Sequence, residues 1–526
     1  MTFLFRTLYT LLAVAVLATP LAPVVAQTPV ASPVVETPTF RESTCMYDLP
    51  AGLDAEDVLC GWVTAPMYPD DSKPGTVELP IMRVLATTSS PAPEPLMVLL
   101  GGPGQDMSAV LPLFGDEFPI WRNLLDRQDV ILFDQRGMGQ STPTLACPFE
   151  RAVGESGATE GNTAVGFAIM RCAADLQAEG TDLAAFTTEN NAADIDAIRL
   201  AMGDDQVDLY GISYGSKLAL SAIRDYPDSI RASIIASPLP LEANPFLDQT
   251  VGFDAALKKA WDACDADAQC AADNPDSASA FVAAVNRLQE TPMPIQVMVP
   301  GTDHPTKIMV DAFQFLQIMY LGVFVGPIVP TLPYLVTSVA QGDDTVLQGL
   351  APLMLLSGGL SLGATFTYFC QDEVPFSPKD ETDRALVQAD LAEPLVGPYW
   401  IDLGDQSYQI CRMWRLEPAN PIEAESVASD EPLLILTGAF DPITPPENGE
   451  LVKANFPNGQ LVEFSAQGHD PASTDPECGN QIITSFLDDP TAPVDAACAA
   501  EPVEFLPPDD LLAPFATPVA SPVPGV

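Results

Sequence analysis

One serine in this chain stands where a nucleophile would. Gly211-Ile212-Ser213-Tyr214-Gly215 fits G-x-S-x-G, with the apolar stretch QVDLYG leading into it and the helix-forming SKLALSAIRDYP following. In such a strand-turn-helix the serine sits on a sharp, strained turn, and the glycines let the backbone fold tightly without covering the hydroxyl. A serine hydroxyl is a weak nucleophile near neutral pH and needs a base within reach, most often histidine. The chain has two histidines, His304 in GTDHPTKIMV and His469 in FSAQGHDPAS. For a serine on this kind of elbow the triad runs serine, acid, histidine along the chain, which selects His469. His304 then reads as a surface or loop residue. The acid must orient the imidazole and stabilise its cation. Asp441, in LLILTGAFDPITPP, falls between serine and histidine just past an apolar stretch, where loops at the C-terminal edge of a parallel sheet gather catalytic groups. Ser213, Asp441 and His469 are therefore the expected triad, and acyl transfer the expected chemistry.

Charge that develops on an attacked carbonyl oxygen needs preorganised donors. The amide of Tyr214, directly after the nucleophile, is one candidate, and Gly102 in the loop GGPGQ (101–105) is the second. Other patterns carry less. DQRGMGQS (134–141) lacks the lysine of a phosphate loop and reads as a turn beside the active site. CDADAQCAADNPD (264–276) has acidic spacing but neither the turn glycine nor the closing glutamate of a calcium loop. No metal ligand set and no cofactor motif is expected.

The elements that would position these residues are short apolar stretches bounded by turn residues: ELPIMRVLA, PLMVLL, DVILFD, QVDLYG, ASIIAS, PLLILTG and QLVEFSA. Their alternation with helical stretches indicates an α/β chain with a mostly parallel sheet covered on both faces. The rhythm lapses over 238–420, where segments such as DQTVGFDAALKKAWDAC and DAFQFLQIMYL indicate an inserted, mainly helical lid. Residues 318–340 carry no charge and are long enough to span a bilayer, but Pro327, Pro330 and Pro333 interrupt them. A membrane helix there would also split one sheet across the bilayer, so a buried lid segment is expected instead.

Residues 1–26 have the parts of a secretory signal: Arg6, an apolar run from Leu8 to Leu17, and small residues at Val24 and Ala26. Cleavage near Ala26 and export are expected. Both flanks, 27–40 and 501–526, are rich in proline and small residues and share TPVASPV, as extended spacers would. The core is expected over 41–237 and again over 421–500. Ten cysteines in an exported chain fit a disulfide framework. They arrive as local couples, Cys45 with Cys60, Cys147 with Cys172, Cys264 with Cys270, Cys370 with Cys411 and Cys478 with Cys498. Neighbour pairing is the expectation, although spacing alone leaves connectivity open. A formal charge of −49 makes nucleic acid or an anionic membrane surface a poor partner.

Taken in order, GGPG, DQRGMGQS, GISYGS, GAFDPITP and GHD resemble the secreted tripeptidyl aminopeptidase-like branch of the proline iminopeptidase family of α/β-hydrolases, over roughly residues 45–500. The resemblance extends to IVPTLPYLVTSVAQGDD in the lid and to CQDE and CRMW around Cys370 and Cys411. It implies the α/β-hydrolase fold and a serine exopeptidase acting on free N-termini, with Ser213, Asp441 and His469 as triad. Carboxylates of the lid would then pair with the substrate's α-ammonium, and Glu242, Asp372 and Glu373 are the candidates by neighbourhood. Two positions depart from the pattern: Leu100 stands where many relatives have histidine before GGPG, and Met138 follows the DQRG glycine. An esterase with the same triad and a non-catalytic binding protein on a hydrolase scaffold are the alternatives; the oligomeric state is left open.

Overall fold

The computed structural model describes residues 38–505 except 51, 71, 112–122, 151–161, 298–305, 352–359, 390 and 392–395. The expected signal segment, most of both spacers and His304 lie outside the described residues.

Nine strands form one sheet: β1 (Thr39–Glu42), β2 (Val58–Pro66), β3 (Thr76–Val84), β4 (Leu96–Leu99), β5 (Val130–Phe133), β6 (Val207–Ile212), β7 (Ile230–Ala236), β10 (Leu433–Gly438) and β11 (Gln460–Phe464). Their order is β1-β2-β3-β5-β4-β6-β7-β10-β11. From β5 to β11 all neighbours are parallel, while β1, β2 and β3 join antiparallel at one edge. All seven apolar stretches read from the sequence become strands. β1 and β2 were not anticipated, because VLCGWVTAP mixes glycine, cysteine and proline into a pattern with no clean alternation. β1 also starts at Thr39, inside the stretch expected to be spacer.

The alternation of side chains across each strand builds two cores. Leu96 and Val98 of β4 face Ile482, Ile483 and Phe486 of the Pro476–Asp488 helix. Met97 and Leu99 face Ile195 and Ile198 of the Thr188–Met202 helix and Leu218 and Ile223 of the Tyr214–Asp225 helix. With both faces covered, β4, β5 and β10 are buried at every position, as parallel strands between helix layers must be.

Between β7 and β10 the chain forms mostly helices with a core of their own, in which Phe253, Trp261, Phe281, Phe315, Met319 and Leu335 meet. The segment also holds an antiparallel hairpin of β8 (Met293–Val297) and β9 (Thr306–Val310), so it is not purely helical. The uncharged stretch breaks into the Ala312–Phe324 helix, a 3-10 turn over Gly326–Thr331 and the Leu332–Gln341 helix. No helix among the described residues is long and apolar enough to cross a membrane. Val503 and Phe505, in the stretch expected as tail, pack against this same core. All five cysteine couples are bonded to their chain neighbours. Asp267, part of the calcium-like stretch, instead caps a helix by accepting from the amides of Gln269 and Cys270.

Arg136 of DQRG is fully buried and forms a two-pronged bond with Asp194, at 2.7 Å on each prong, while donating to the carbonyls of Met67 and Ala185. One guanidinium thus joins the loop after β5, the end of β2 and the Thr188–Met202 helix. Asp194→Ala would strand that charge and should lower unfolding free energy by about 3–5 kcal/mol. Denaturant melting with an unchanged slope measures this; a loss under about 1 kcal/mol would mean that the pair does not hold the loop.

Candidate active site

β6 ends at Ile212, Ser213 turns with φ 57° and ψ −120°, and the Tyr214–Asp225 helix begins at once. A left-handed φ on a non-glycine residue stores roughly 1–3 kcal/mol of strain, held in place by the surroundings. Those surroundings explain both glycines. A methyl group at Gly211 would lie 2.3 Å from the carbonyl oxygen of Gly215, and one at Gly215 would lie 1.9 Å from that of Leu99. Ser213 is left half-buried at the C-terminal edge of the sheet.

Asp441 and His469 follow β10 and β11 and reach the same edge. His469 Nδ1 lies 2.8 Å from Asp441 Oδ2. The carboxylate also accepts from the amides of Ile443 and Thr444, at 2.9 and 3.0 Å, and from Thr444 Oγ1 at 2.7 Å. Burial alone would raise the Asp441 pKa, but His469, by charge and hydrogen bond, together with these donors holds it below 3.8. For His469 burial disfavours the cation, yet Asp441 outweighs it and the pKa stands above 6.5. The imidazole is further held by its backbone, which donates to the Phe324 carbonyl at 2.8 Å, and by the Phe324 ring stacked 4.6 Å away. Asp470, the next residue, donates its amide to Ser237 Oγ. No hydrogen bond joins Ser213 Oγ to His469 among the described residues; such contacts commonly tighten only around substrate.

Gly102 has φ 105° and lies in the loop that leaves β4, and its neighbour Gly101 packs against the Ser213 Cβ position. Tyr214 is the first residue of its helix, so its amide has no intrahelical acceptor. Among the described residues neither the Gly102 nor the Tyr214 amide has a hydrogen-bond partner. Leu100 and Met138, the two departures from the family pattern, are both core residues.

The three carboxylates expected near a substrate amine part company. Glu242 is exposed in the loop after β7. Asp372 and Glu373 are buried, with Asp372 Oδ2 taken by Thr188 and Glu373 Oε1 by Lys217 at 2.5 Å. Two further residues come from the structure: Thr444, inside GAFDPITP but given no role there, and Asp248, which no motif announces. Thr444 touches both Asp441 Oδ2 and His469 Nδ1. Asp248, on the Pro245–Ala266 helix, has its pKa pushed up to about 6, first by burial and then by repulsion from Glu447 and Glu373.

A mostly parallel sheet with a glycine-flanked serine after β6 and an acid-histidine pair after β10 and β11 defines the α/β-hydrolase class. The chain belongs to that family. Residues 94–292 match the alpha/beta hydrolase fold family and residues 393–498 the TAP-like protein family, together more than half of the sequence. It is an enzyme of the serine hydrolase and peptidase kind. The serine protease Hip1 of Mycobacterium tuberculosis is 24% identical over 487 residues, 87% of this chain and 89% of that one. The tripeptidyl aminopeptidase of Streptomyces lividans is 30% identical over 237 residues, covering 40% and 43%. The proline iminopeptidase of Xylella fastidiosa is 27% identical over 139 residues, covering 26% and 30%.

With two histidines in the chain, ring titration by NMR can follow His469 directly. Its midpoint is expected above 6.5, and Asp441→Asn should carry it below 6.5, because burial then acts unopposed. A folded pKa above the unfolded one stabilises the protein fully below about 6.5 and progressively less as pH rises through the folded value. An unchanged midpoint in the variant would sever the proposed link between the two groups.

Proposed function

We propose that the protein is an exported serine exopeptidase that releases short peptides or single residues from free N-termini through an acyl-enzyme on Ser213. The observation that carries this reading is the buried Asp441–His469 pair, 2.8 Å apart, at the sheet edge where the strained Ser213 turn also ends. Ser213 Oγ attacks the scissile carbonyl while His469 takes its proton, and Asp441 steadies the imidazolium. The tetrahedral oxyanion is met by the amides of Gly102 and Tyr214. His469 then protonates the leaving amine, and water, activated by the same imidazole, releases the acyl group.

The relatives named tripeptidyl aminopeptidase and proline iminopeptidase favour a peptide with a free amine as substrate. Glu242, exposed at the mouth of the loop after β7, is the carboxylate that meets solvent. Burial first, and after it repulsion from Glu447 and Glu373, disfavours the ionised form of Asp248. An arriving ammonium relieves that repulsion, so binding energy and charge compensation coincide. Asp372 and Glu373 are buried and committed to Thr188 and Lys217, so neither meets the amine directly. Five disulfides support an oxidising compartment outside the cytosol.

Purified protein should release chromophore from unblocked di- or tripeptidyl anilides, and Ser213→Ala should reduce turnover by about 10⁴–10⁶-fold. Undiminished turnover in that variant would remove Ser213 from the mechanism. Acetylating the substrate's amine should suppress cleavage by the parent enzyme. Equal cleavage of blocked and free substrates, or turnover of simple esters alone, would refute the exopeptidase reading.

A further inference from the structure

Gln135 of the DQRG motif and Asn191 take no part in the acyl transfer described above, yet both are fully buried beneath it. Gln135 Nε2 donates to the carbonyl of Leu100 at 2.9 Å, and Asn191 Nδ2 donates to Gln135 Oε1 at 2.8 Å. The same Asn191 amide lies 3.4 Å from the Tyr214 hydroxyl, which is 3.1 Å from Thr188 Oγ1. Thr188 gives its hydroxyl proton to Asp372 Oδ2 at 2.7 Å and its amide to the same oxygen at 3.0 Å. The bonds form one connected chain from Gln135 through Asn191, Tyr214 and Thr188 to Asp372. No side chain in it is more than 1% exposed.

The two ends of this chain matter. Leu100 immediately precedes Gly101 and Gly102, and Tyr214 immediately follows Ser213. These are the two backbone segments that carry the oxyanion donors, and they belong to separate elements, the loop after β4 and the helix after β6. Strand pairing sets their approach only to the spacing of a sheet, about 4.8 Å, whereas an oxyanion donor must stand about 2.7–3.1 Å from its oxygen. Among the described residues Asn191 Oδ1 and Asp372 Oδ1 have no hydrogen-bond partner, and an unpaired buried acceptor lowers stability, so the network is not arranged for stability alone.

We propose that Gln135 and Asn191 are positioning residues that set the distance between the Gly102 and Tyr214 amides, with Thr188 and Asp372 anchoring the far end. This rests on the reading of Ser213 as nucleophile. Positioning of this kind acts on the tetrahedral state and hardly on the bound ground state.

The test uses Gln135→Leu, Asn191→Leu and Tyr214→Phe in the full chain. The last removes one hydroxyl oxygen and keeps ring and backbone, so it stays informative where a leucine variant fails to fold. Rates are counted per Ser213 labelled to completion by a fluorophosphonate, which excludes misfolded molecules. Each variant should lose kcat by about 10–100-fold with KM nearly unchanged. Binding of a peptidyl trifluoromethyl ketone, whose hemiketal oxyanion fills the same hole, should weaken by the same factor. The Gln135→Leu, Asn191→Leu double variant should lose little more than the worse single one, since both break one chain. Unchanged kcat per labelled site, a loss confined to KM, or full inhibitor affinity beside lowered kcat would overturn the proposal. Failure of the parent protein to label, or full turnover by Ser213→Ala, would instead overturn the catalytic reading itself.

Discussion

A methyl group at position 215 would lie 1.9 Å from the carbonyl oxygen of Leu99, and most of the site follows from that closeness. It lets the helix after Ser213 press directly against the end of β4, so the nucleophile turn and the loop of Gly101–Gly104 share one corner of the sheet. Gly211 allows the same turn from the other side, against the Gly215 carbonyl. The left-handed φ of Ser213 is then imposed rather than chosen, and the hydroxyl is carried off the strand end toward the sheet edge where the loops after β10 and β11 bring Asp441 and His469. Strain of a few kcal/mol is sustainable here because the parallel strands beneath are buried on both faces.

The segment between β7 and β10 holds the loops of Gly102, Asp441 and His469 by separate contacts. Phe324 grips His469 by backbone hydrogen bond and ring stack, and Gly468 lacks a side chain where a methyl would strike the carbonyls of Val323 and Phe324. Gly252 makes similar room for the Pro442 carbonyl beside Asp441. Over the GGPG loop, Thr365 Oγ1 donates to the Pro103 carbonyl at 2.6 Å and the Ser361 amide to that of Gly104 at 3.1 Å. Repacking that segment would therefore shift Asp441, His469 and the GGPG loop together, and the Cys370–Cys411 disulfide within it restrains such repacking covalently.

What the sequence made legible was whatever is local. The buried parallel strands, the elbow and the neighbouring cysteine couples each leave a mark within a few tens of residues, as QVDLYG before GISYGS does. The antiparallel edge escaped because β2 carries Gly61, Cys60 and a closing Pro66, which blur its alternation, and β1 has four residues. Residues that act through distant partners escaped as well. Nothing near Asn191 announces that its amide meets Gln135, 56 positions away, and nothing near Asp372 announces Thr188, 184 positions away. Neighbourhood in a motif could bring Asp372 and Glu373 to attention, but burial decides that their charges first serve Thr188 and Lys217.

Scarcity of cations shapes the rest. With 22 lysines and arginines against 71 acids, the cations drawn into the fold are committed to structure: buried Arg136 to Asp194 and Lys217 to Glu373, and part-buried Arg83 to Asp129 and Asp204, Arg224 to Glu423 and Arg231 to Asp208. Other buried carboxyls have no cation partner among the described residues and take hydroxyls and amides instead. Asp134 takes Tyr47 and the amides of Met107 and Gln140, and burial, which these donors only partly offset, pushes its pKa up to about 7. Asp372 has Thr188, and burial with Glu423 nearby pushes its pKa up to about 8. Asp441 is the exception among them, because its partner is itself a base that becomes cationic, and its pKa falls below the ordinary value where the others rise. On the proposed mechanism this carboxylate stabilises the positive charge that comes and goes on the His469 imidazole.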